Sequence, residues 1–417
     1  MTVTEPLTHT PAPAPEKPAH RDGNVLRWLG AYSASMIGDN IYYVALSWAA
    51  VQSGSPSQAG LVMAVSAAPR ALLLLGGGVI ADRLGPRRIV IAGDAVRSAA
   101  VLGVAGLFLA TQPGLWPLTF LGLVFGIVDA LFLPAVGALP ARVTGRGQLA
   151  RVQGMRGLAV RLANVVGAPL GGLGVALGGP AAAFGAAGLL FAISLPLLMS
   201  LRIRDLPDAG GKIGAPAGNA LTDGLRYIRR HSVLAPLVVV IGLSDLGFVG
   251  PLNVGLTLLA DQRGWGASGM GAVLAGFGVG AGAASLLLAV RGRMPRAGLV
   301  LAATMGGGAV AIGALAFVPH LAAAVAVALV IVLLAGLSGA LCGALTQTQA
   351  APAYIGRVTA VTSLSSLGLV PLTMPLTGAA VGLWGTGPVF VASAAVCALA
   401  GVYGLCRTPL RRAELPA

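Results

Sequence analysis

Charge is what this sequence has least of. Of its 417 residues only 10% are Asp, Glu, Lys or Arg, against 56% hydrophobic ones, and the mean hydropathy is +0.86. A water-soluble domain carries about 25% charged residues. A tenth cannot cover the surface of a chain this size, so most of it must face lipid or other buried segments. Cysteine is scarce too: Cys342, Cys397 and Cys406 all lie in apolar surroundings. At these spacings they form neither a disulfide framework nor a metal-ligand set, and are read as small buried side chains. Histidine is confined to His9, His20, His231 and His320, in the tails or at the edges of apolar runs. A proton carrier in the middle of a membrane would therefore be an aspartate. A Gly-x-x-x-x-Gly-Lys-Ser/Thr phosphate loop is missing, which excludes ATP hydrolysis of that type. Clustered catalytic groups are missing as well, so neither enzyme activity nor a cofactor or metal is expected.

The few charges are unbalanced. Twenty-seven basic residues against 13 acidic ones give a net charge of +14. In a soluble protein that would suggest nucleic acid. Here the basic residues sit in short loops between apolar runs, where they report topology, and no interleaved aromatic and basic patch accompanies them. The first 22 residues, with Pro11, Pro13 and Pro15, are polar and Pro-rich. They read as a disordered tail rather than a signal peptide, because no apolar run begins before Leu26.

What is present is a succession of twelve apolar segments, near 24–51, 58–81, 89–111, 115–140, 157–178, 181–202, 233–260, 266–290, 297–318, 321–346, 357–383 and 386–406. Each is long enough to cross a hydrocarbon core of about 30 Å as a helix. Spans five and six almost touch at Gly178-Gly179-Pro180. With the amino terminus inside, the cytoplasmic loops hold Arg87, Arg88, Arg142, Arg146, Arg151, Arg226, Arg229, Arg230, Arg291, Arg293 and Arg357, whereas the other side holds essentially Arg263 alone. The positive-inside rule then places both termini in the cytoplasm.

The expected fold is an all-α membrane protein of twelve transmembrane helices in two pseudo-symmetric halves. The chain divides into a tail (1–22), a six-helix half (23–203), a cytoplasmic linker (204–232), a second six-helix half (233–407) and a tail (408–417). Within the linker, Leu221, Leu225 and Ile228 share one helical face and Arg226, Arg229 and Arg230 lie mostly off it, the pattern of an amphipathic helix on the membrane surface. The halves repeat weakly. Gly38-Asp39 in span one matches Ser244-Asp245 in span seven, and Gly179-Pro180 before span six matches Gly387-Pro388 before span twelve. Two similarly oriented halves joined by a long loop are the parallel repeat of a transporter.

The stretch from Gly78 to Arg88, with Asp82, Arg83, Gly85 and Arg87, follows the second span and resembles the signature loop of the major facilitator superfamily. Gly38-Asp39, Pro69-Arg70, Asp82-Arg83 and Asp94-Ala95-Val96-Arg97 are similar to its drug and siderophore exporter branch, which includes the enterobactin exporter and macrolide efflux proteins. The resemblance implies alternating access in a monomer of the bacterial inner membrane. It also implies a conformational latch built from Gly78, Asp82, Arg83, Gly85, Arg87 and Arg88, with Asp94 and Arg97 clustered beside it. Gly167, Pro169, Gly171 and Gly172 resemble the Gly/Pro motif of span five in antiporters, although Ala168 separates glycine from proline. Drug-exporting relatives usually carry an arginine in span four, a position this chain does not match.

Ionisable groups inside a bilayer are functional candidates. Asp39 and Arg70 lie at matching depth on adjacent spans and are expected to pair, as a proton-coupling site or as a static ion pair. Burial favours the protonated acid and a neighbouring cation the ionised one, so a changing cavity could load and release a proton there. Tyr32, Asn40, Tyr43, Trp48, Asp129, Asp245 and Asn253 are candidates to line the substrate cavity. The expected function is proton-coupled export of a small amphipathic molecule, with protons, substrate and lipid as partners. The alternatives are uptake or facilitated passage of a nutrient and, further off, a non-transporting sensor.

Overall fold

The computed structural model describes residues 18–111, 113–145, 148–203, 217–291, 296–351 and 354–414, with the side chains of 74–83, 141, 150, 217–221, 289–291, 355, 356 and 360 outside the description. Every regular element among the described residues is helical. The N-terminal half consists of α1 (Gly23–Ser53), α2 (Pro56–Leu84), α3 (Pro86–Ala110), α4 (Trp116–Val143) and α5 (Leu149–Met199). After α6 (Ala217–Arg230) come α7 (Leu234–Gly250), a π-helical turn (Pro251–Gly255), α8 (Leu256–Gln262), α9 (Gly266–Arg291), α10 (Ala297–Leu315), α11 (Leu321–Gln349), α12 (Ile355–Trp384), α13 (Thr386–Cys406) and the short α14 (Thr408–Arg411).

Nine stretches among the described residues are long and apolar enough to cross a membrane. One of them, within α5, is two spans. Gly178 (φ −138°, ψ 17°) and Gly179 (φ 69°) break the helix, and Pro180 starts the next limb with its fixed φ and missing N–H. Only glycine enters that left-handed conformation without strain. Helices α1 and α2, of 31 and 29 residues, pack into the same bundle and complete the twelve spans. The α2–α3 connection is shorter than the sequence suggests. Most of the Gly78–Arg88 stretch is helical, and the turn narrows to Gly85 (φ 84°) with Pro86 opening α3.

In the first half α1 packs on α5, α2 on α4, and α3 on both α4 and α5. In the second, α9 packs on α11, α10 on α11 and α13, and α7 on α12 and α13. Two seams join the halves: α2 with α12, and α5 with α9. Both depend on missing side chains. A Cβ on Gly378 would stand 2.4 Å from the Pro56 carbonyl oxygen, and one on Gly172 would stand 2.4 Å from that of Ala267. Such small-residue contacts let membrane helices gain dispersion energy where no hydrophobic force drives them together.

The two ends of the bundle differ. The start of α1, the α2–α3 turn, the linker and the end of α13 carry most of the arginines; we call this the basic end. At the other end the apolar core runs unbroken between the halves, joining Ala49, Ala59 and Met63 to Leu258, Ala267 and Val381. There the Ser47 and Thr257 hydroxyls hydrogen-bond, and Gln52 Nε2 donates to Asp261 Oδ1 at 2.7 Å.

Candidate functional site

A cavity of about 630 Å³ lies between the halves at mid-bundle. Buried Met63, Met270 and Met374, from α2, α9 and α12, floor it toward the closed end. Its two walls differ in kind. The N-terminal half contributes Asp39, Asn40, Tyr43, Arg70, Arg97, Asp129 and Asn164; the C-terminal half contributes mostly Phe248, Leu252, Leu274 and Phe277, with Asn253 as its amide. Such a chamber suits a molecule with one polar and one apolar face.

Arg97, only 1% exposed, organises the charged wall. Its Nη2 donates to Asp129 Oδ1, and its Nη1 lies 3.6 Å from Asp39 and 3.5 Å from Asp94. The guanidinium carbon sits 4.2 Å from the centre of the Phe132 ring, with Phe125 and Phe191 farther out. Aromatic faces favour a cation through their quadrupoles, and the carboxylates offset its desolvation. Asp94 is fully buried, accepting from Ser35 (3.0 Å) and from Ser194. Arg70 reaches Asp129 at 3.9 Å and is 39% exposed.

Several expectations are revised by this geometry. Asp39 is paired with Arg97, and Arg70 with Asp129, so the two residues expected to pair share a cluster through third parties. Arg97 lines the cavity, and Asp94 is buried behind it, away from the α2–α3 turn. Their depth was legible: Arg97 is eleven residues into α3, about 16 Å along the axis, close to mid-membrane. Asn40, Tyr43, Asp129 and Asn253 line the cavity as expected. Tyr32 and Trp48 are not among its lining residues. Tyr32 stacks on Trp28 and lies under Arg156, toward the basic end. Trp48 follows Asp39 by nine residues, half a turn out of phase on α1. Asp245 lines a different cavity, inside the C-terminal half.

The span-five glycines hold α5 in place. A Cβ on Gly167 would meet Asn40 Cβ at 2.6 Å, and one on Gly171 would meet Ile41 Cα at 3.0 Å. With α1 this close, Asn40 Nδ2 reaches both the Met36 carbonyl (2.8 Å) and Asn164 Oδ1 on α5 (3.1 Å). Pro169 and Gly172 face α9, where Gly271 leaves room for them. Nearer the basic end of that seam, Arg161 donates to the Ala281 carbonyl across the halves at 2.6 Å. At the α2–α3 turn, Arg87 hydrogen-bonds the terminal carbonyls of α5, Leu198 and Met199, and Arg88 is exposed. The side chains of Gly78, Asp82 and Arg83 lie outside the described residues.

Two helical halves clasping a charged chamber at mid-membrane define a transporter of small molecules, not an enzyme. The chain belongs to the Major Facilitator Superfamily, whose family model matches residues 28–371. The enterobactin exporter EntS of Shigella flexneri is 27% identical over 302 residues, covering 72% of the chain and 71% of the exporter. EntS of Escherichia coli O127:H6 is 26% identical over 308 residues, covering 74% and 73%. Among solved structures, the nucleoside transporter NupG superposes with a TM-score of 0.71 at 13% identity, covering 93% of the chain and 99% of NupG. A bacterial homologue of the human lysosomal transporter Spinster, inward-facing and occupied, gives 0.69 at 14% identity, covering 94% and 98%. At these identities the structures attest to the fold.

Proposed function

We propose that this transporter is a proton-coupled exporter of small amphipathic molecules in a bacterial inner membrane, with both termini cytoplasmic. The observation that carries the reading is the imbalance of the charged cluster at the cavity wall and just behind it: Asp39, Asp129 and the buried Asp94 face two guanidinium groups, Arg70 and Arg97. A membrane-embedded cluster with one carboxylate in excess has a place for one proton. Asp94 is held by two hydroxyls and Arg97, and Asp129 by two arginines. Asp39 has a single partner at ion-pair distance and is 26% exposed. It is therefore the carboxylate freest to exchange a proton with the cavity. Arg70, on Asp129, sets how strongly Arg97 is shared among the three.

With the basic end cytoplasmic, the closed end is external and the chamber opens inward. Substrate enters from the cytoplasm, its polar face toward Asn40, Asp129 and Asn164 and its apolar face toward Phe248 and Phe277. Rocking about the α2–α12 and α5–α9 seams exposes it outside, where Asp39 takes up the proton that returns the carrier. The relatives named as enterobactin exporters support the direction. The latch role of the α2–α3 turn rests on the resemblance together with the Arg87 bonds to α5.

The test is accumulation of a panel of lipophilic dyes and antibiotics in pump-deficient bacteria. Cells with wild-type protein should retain less than cells without it, and a protonophore or Asp39→Asn should abolish the difference. Export by Asp39→Asn at the wild-type level would remove this carboxylate from coupling.

A further inference from the structure

A second cavity, of about 530 Å³, lies wholly within the C-terminal half, between α7, α10, α11 and α12. Phe248 and Leu367 line both cavities and form the partition between them. Its inner end holds Asp245, and its outer end reaches exposed Gln347 and Thr359 at the basic end of the bundle. Two properties set it apart from a packing defect. Its lining is rich in hydroxyls, among them Ser244, Thr304, Ser338 and Ser366. Among the described residues Asp245 is the only acidic or basic side chain in that lining; Ser366 hydrogen-bonds to its carboxylate, while its Oδ2 is shielded from solvent with no donor of its own.

A carboxylate beside a roomy cavity with no cation to balance it is costly, and in a membrane a lone ionisable group marks a place where something binds. The three aspartates of the Arg97 cluster show the contrast, since each has an arginine. Among the described residues lining this cavity there is no compensating cation. The volume, in the range of a small-molecule pocket, is too large for a metal ion to fill and large enough for a compact organic molecule. Ile312, Ile331 and Met305 would cover its apolar body.

We propose that this cavity is a binding site for a small organic ammonium compound, its N–H groups donating to the Asp245 carboxylate and its body lying among the hydroxyl and aliphatic side chains of α10, α11 and α12. The site does not rest on the export reading: it shares no charged residue with the central cavity, and binding there requires no transport.

The probe is phenethylammonium, titrated calorimetrically into purified protein in nanodiscs, with phenethyl alcohol as the uncharged comparison. The background is Asp39→Asn, so that the central carboxylate contributes nothing. The ammonium should bind in a one-to-one ratio and the alcohol should bind much more weakly. Adding Asp245→Asn should weaken ammonium binding about tenfold to a hundredfold, the loss of a charge-assisted hydrogen bond. Ser363→Trp, which fills the cavity from α12 and leaves the Asp245 charge in place, should block it as well while the protein remains monodisperse and helical. Equal binding of ammonium and alcohol, no binding of the ammonium, or binding unchanged by Asp245→Asn would overturn the proposal. Dye export in cells lies outside these readouts, so failure of the export account would appear separately.

Discussion

Arg97 has no solvent to fall back on. It is enclosed by Phe132, Phe125 and Phe191 and touched by three carboxylates. Truncating it leaves buried Asp94 without a cation and Asp129 with Arg70 alone, which costs about 3–5 kcal/mol. Arg70 is 39% exposed and stands 3.9 Å from its partner, the regime in which a pair is worth about 0–1 kcal/mol. Thermal unfolding of the purified protein should therefore show a large fall in midpoint for Arg97→Ala and a small one for Arg70→Ala. Equal shifts would mean that the cluster is not centred on Arg97. The aspartates of the site were legible in the sequence because an acid in an apolar run stands out. Their partners were not, because Arg70 and Arg97 lie at similar depth on neighbouring helices and only the rotation of α3 decides which reaches Asp39. Asp245 was misplaced for a related reason. The π-helical turn at Pro251–Gly255 adds a residue to the helical repeat, so the face shared by Asp245 and Asn253 cannot be read by counting across it.

At the scale of elements, the seams between the halves are made of glycines set against backbone. Gly60 and Gly378 interlock on α2 and α12, each with no room for a Cβ: 2.7 Å from the Met374 carbonyl oxygen for one, 2.4 Å from that of Pro56 for the other. Gly378→Leu should wedge the closed end open. Spin labels on exposed Leu61 and Leu383, near that end of α2 and α12, should then report a longer distance than in the wild-type background. An unchanged distance would show that this seam does not hold the halves together. The spans themselves were legible from apolar length, and Gly178-Gly179-Pro180 marked the one place where two of them are continuous. The Gly78–Arg88 stretch was read as a loop from its charges. Charges do not end a helix that has left the bilayer, and α2 continues to Leu84 before Gly85 turns it. Helix α6 was read as lying on the membrane surface; the contact the sequence did not reveal is with the start of α12, where Tyr227 stacks on Tyr354 at 4.3 Å and Asp223 meets Arg357 at 4.0 Å.

Over the whole molecule the weak sequence repeat places Asp39 and Asp245 at corresponding points of the two halves, yet they have different surroundings. Asp39 faces the space between the halves, among arginines, whereas Asp245 faces the interior of its own half without one. The fold is symmetric and the charge distribution is not. The charged side chains of the central cavity gather in the N-terminal half, and the C-terminal half offers it an apolar wall. That division was not legible from the repeat, which records where residues sit along a helix and not which neighbour they face. The central claim is that Asp39 carries a proton against the movement of substrate. It is tested most directly in proteoliposomes loaded with a pH-sensitive dye, using a substrate identified by dye or antibiotic accumulation. Wild-type protein should move protons when that substrate is added across the membrane, and Asp39→Asn should bind the substrate but move none. Proton movement by Asp39→Asn at the wild-type rate would contradict the account.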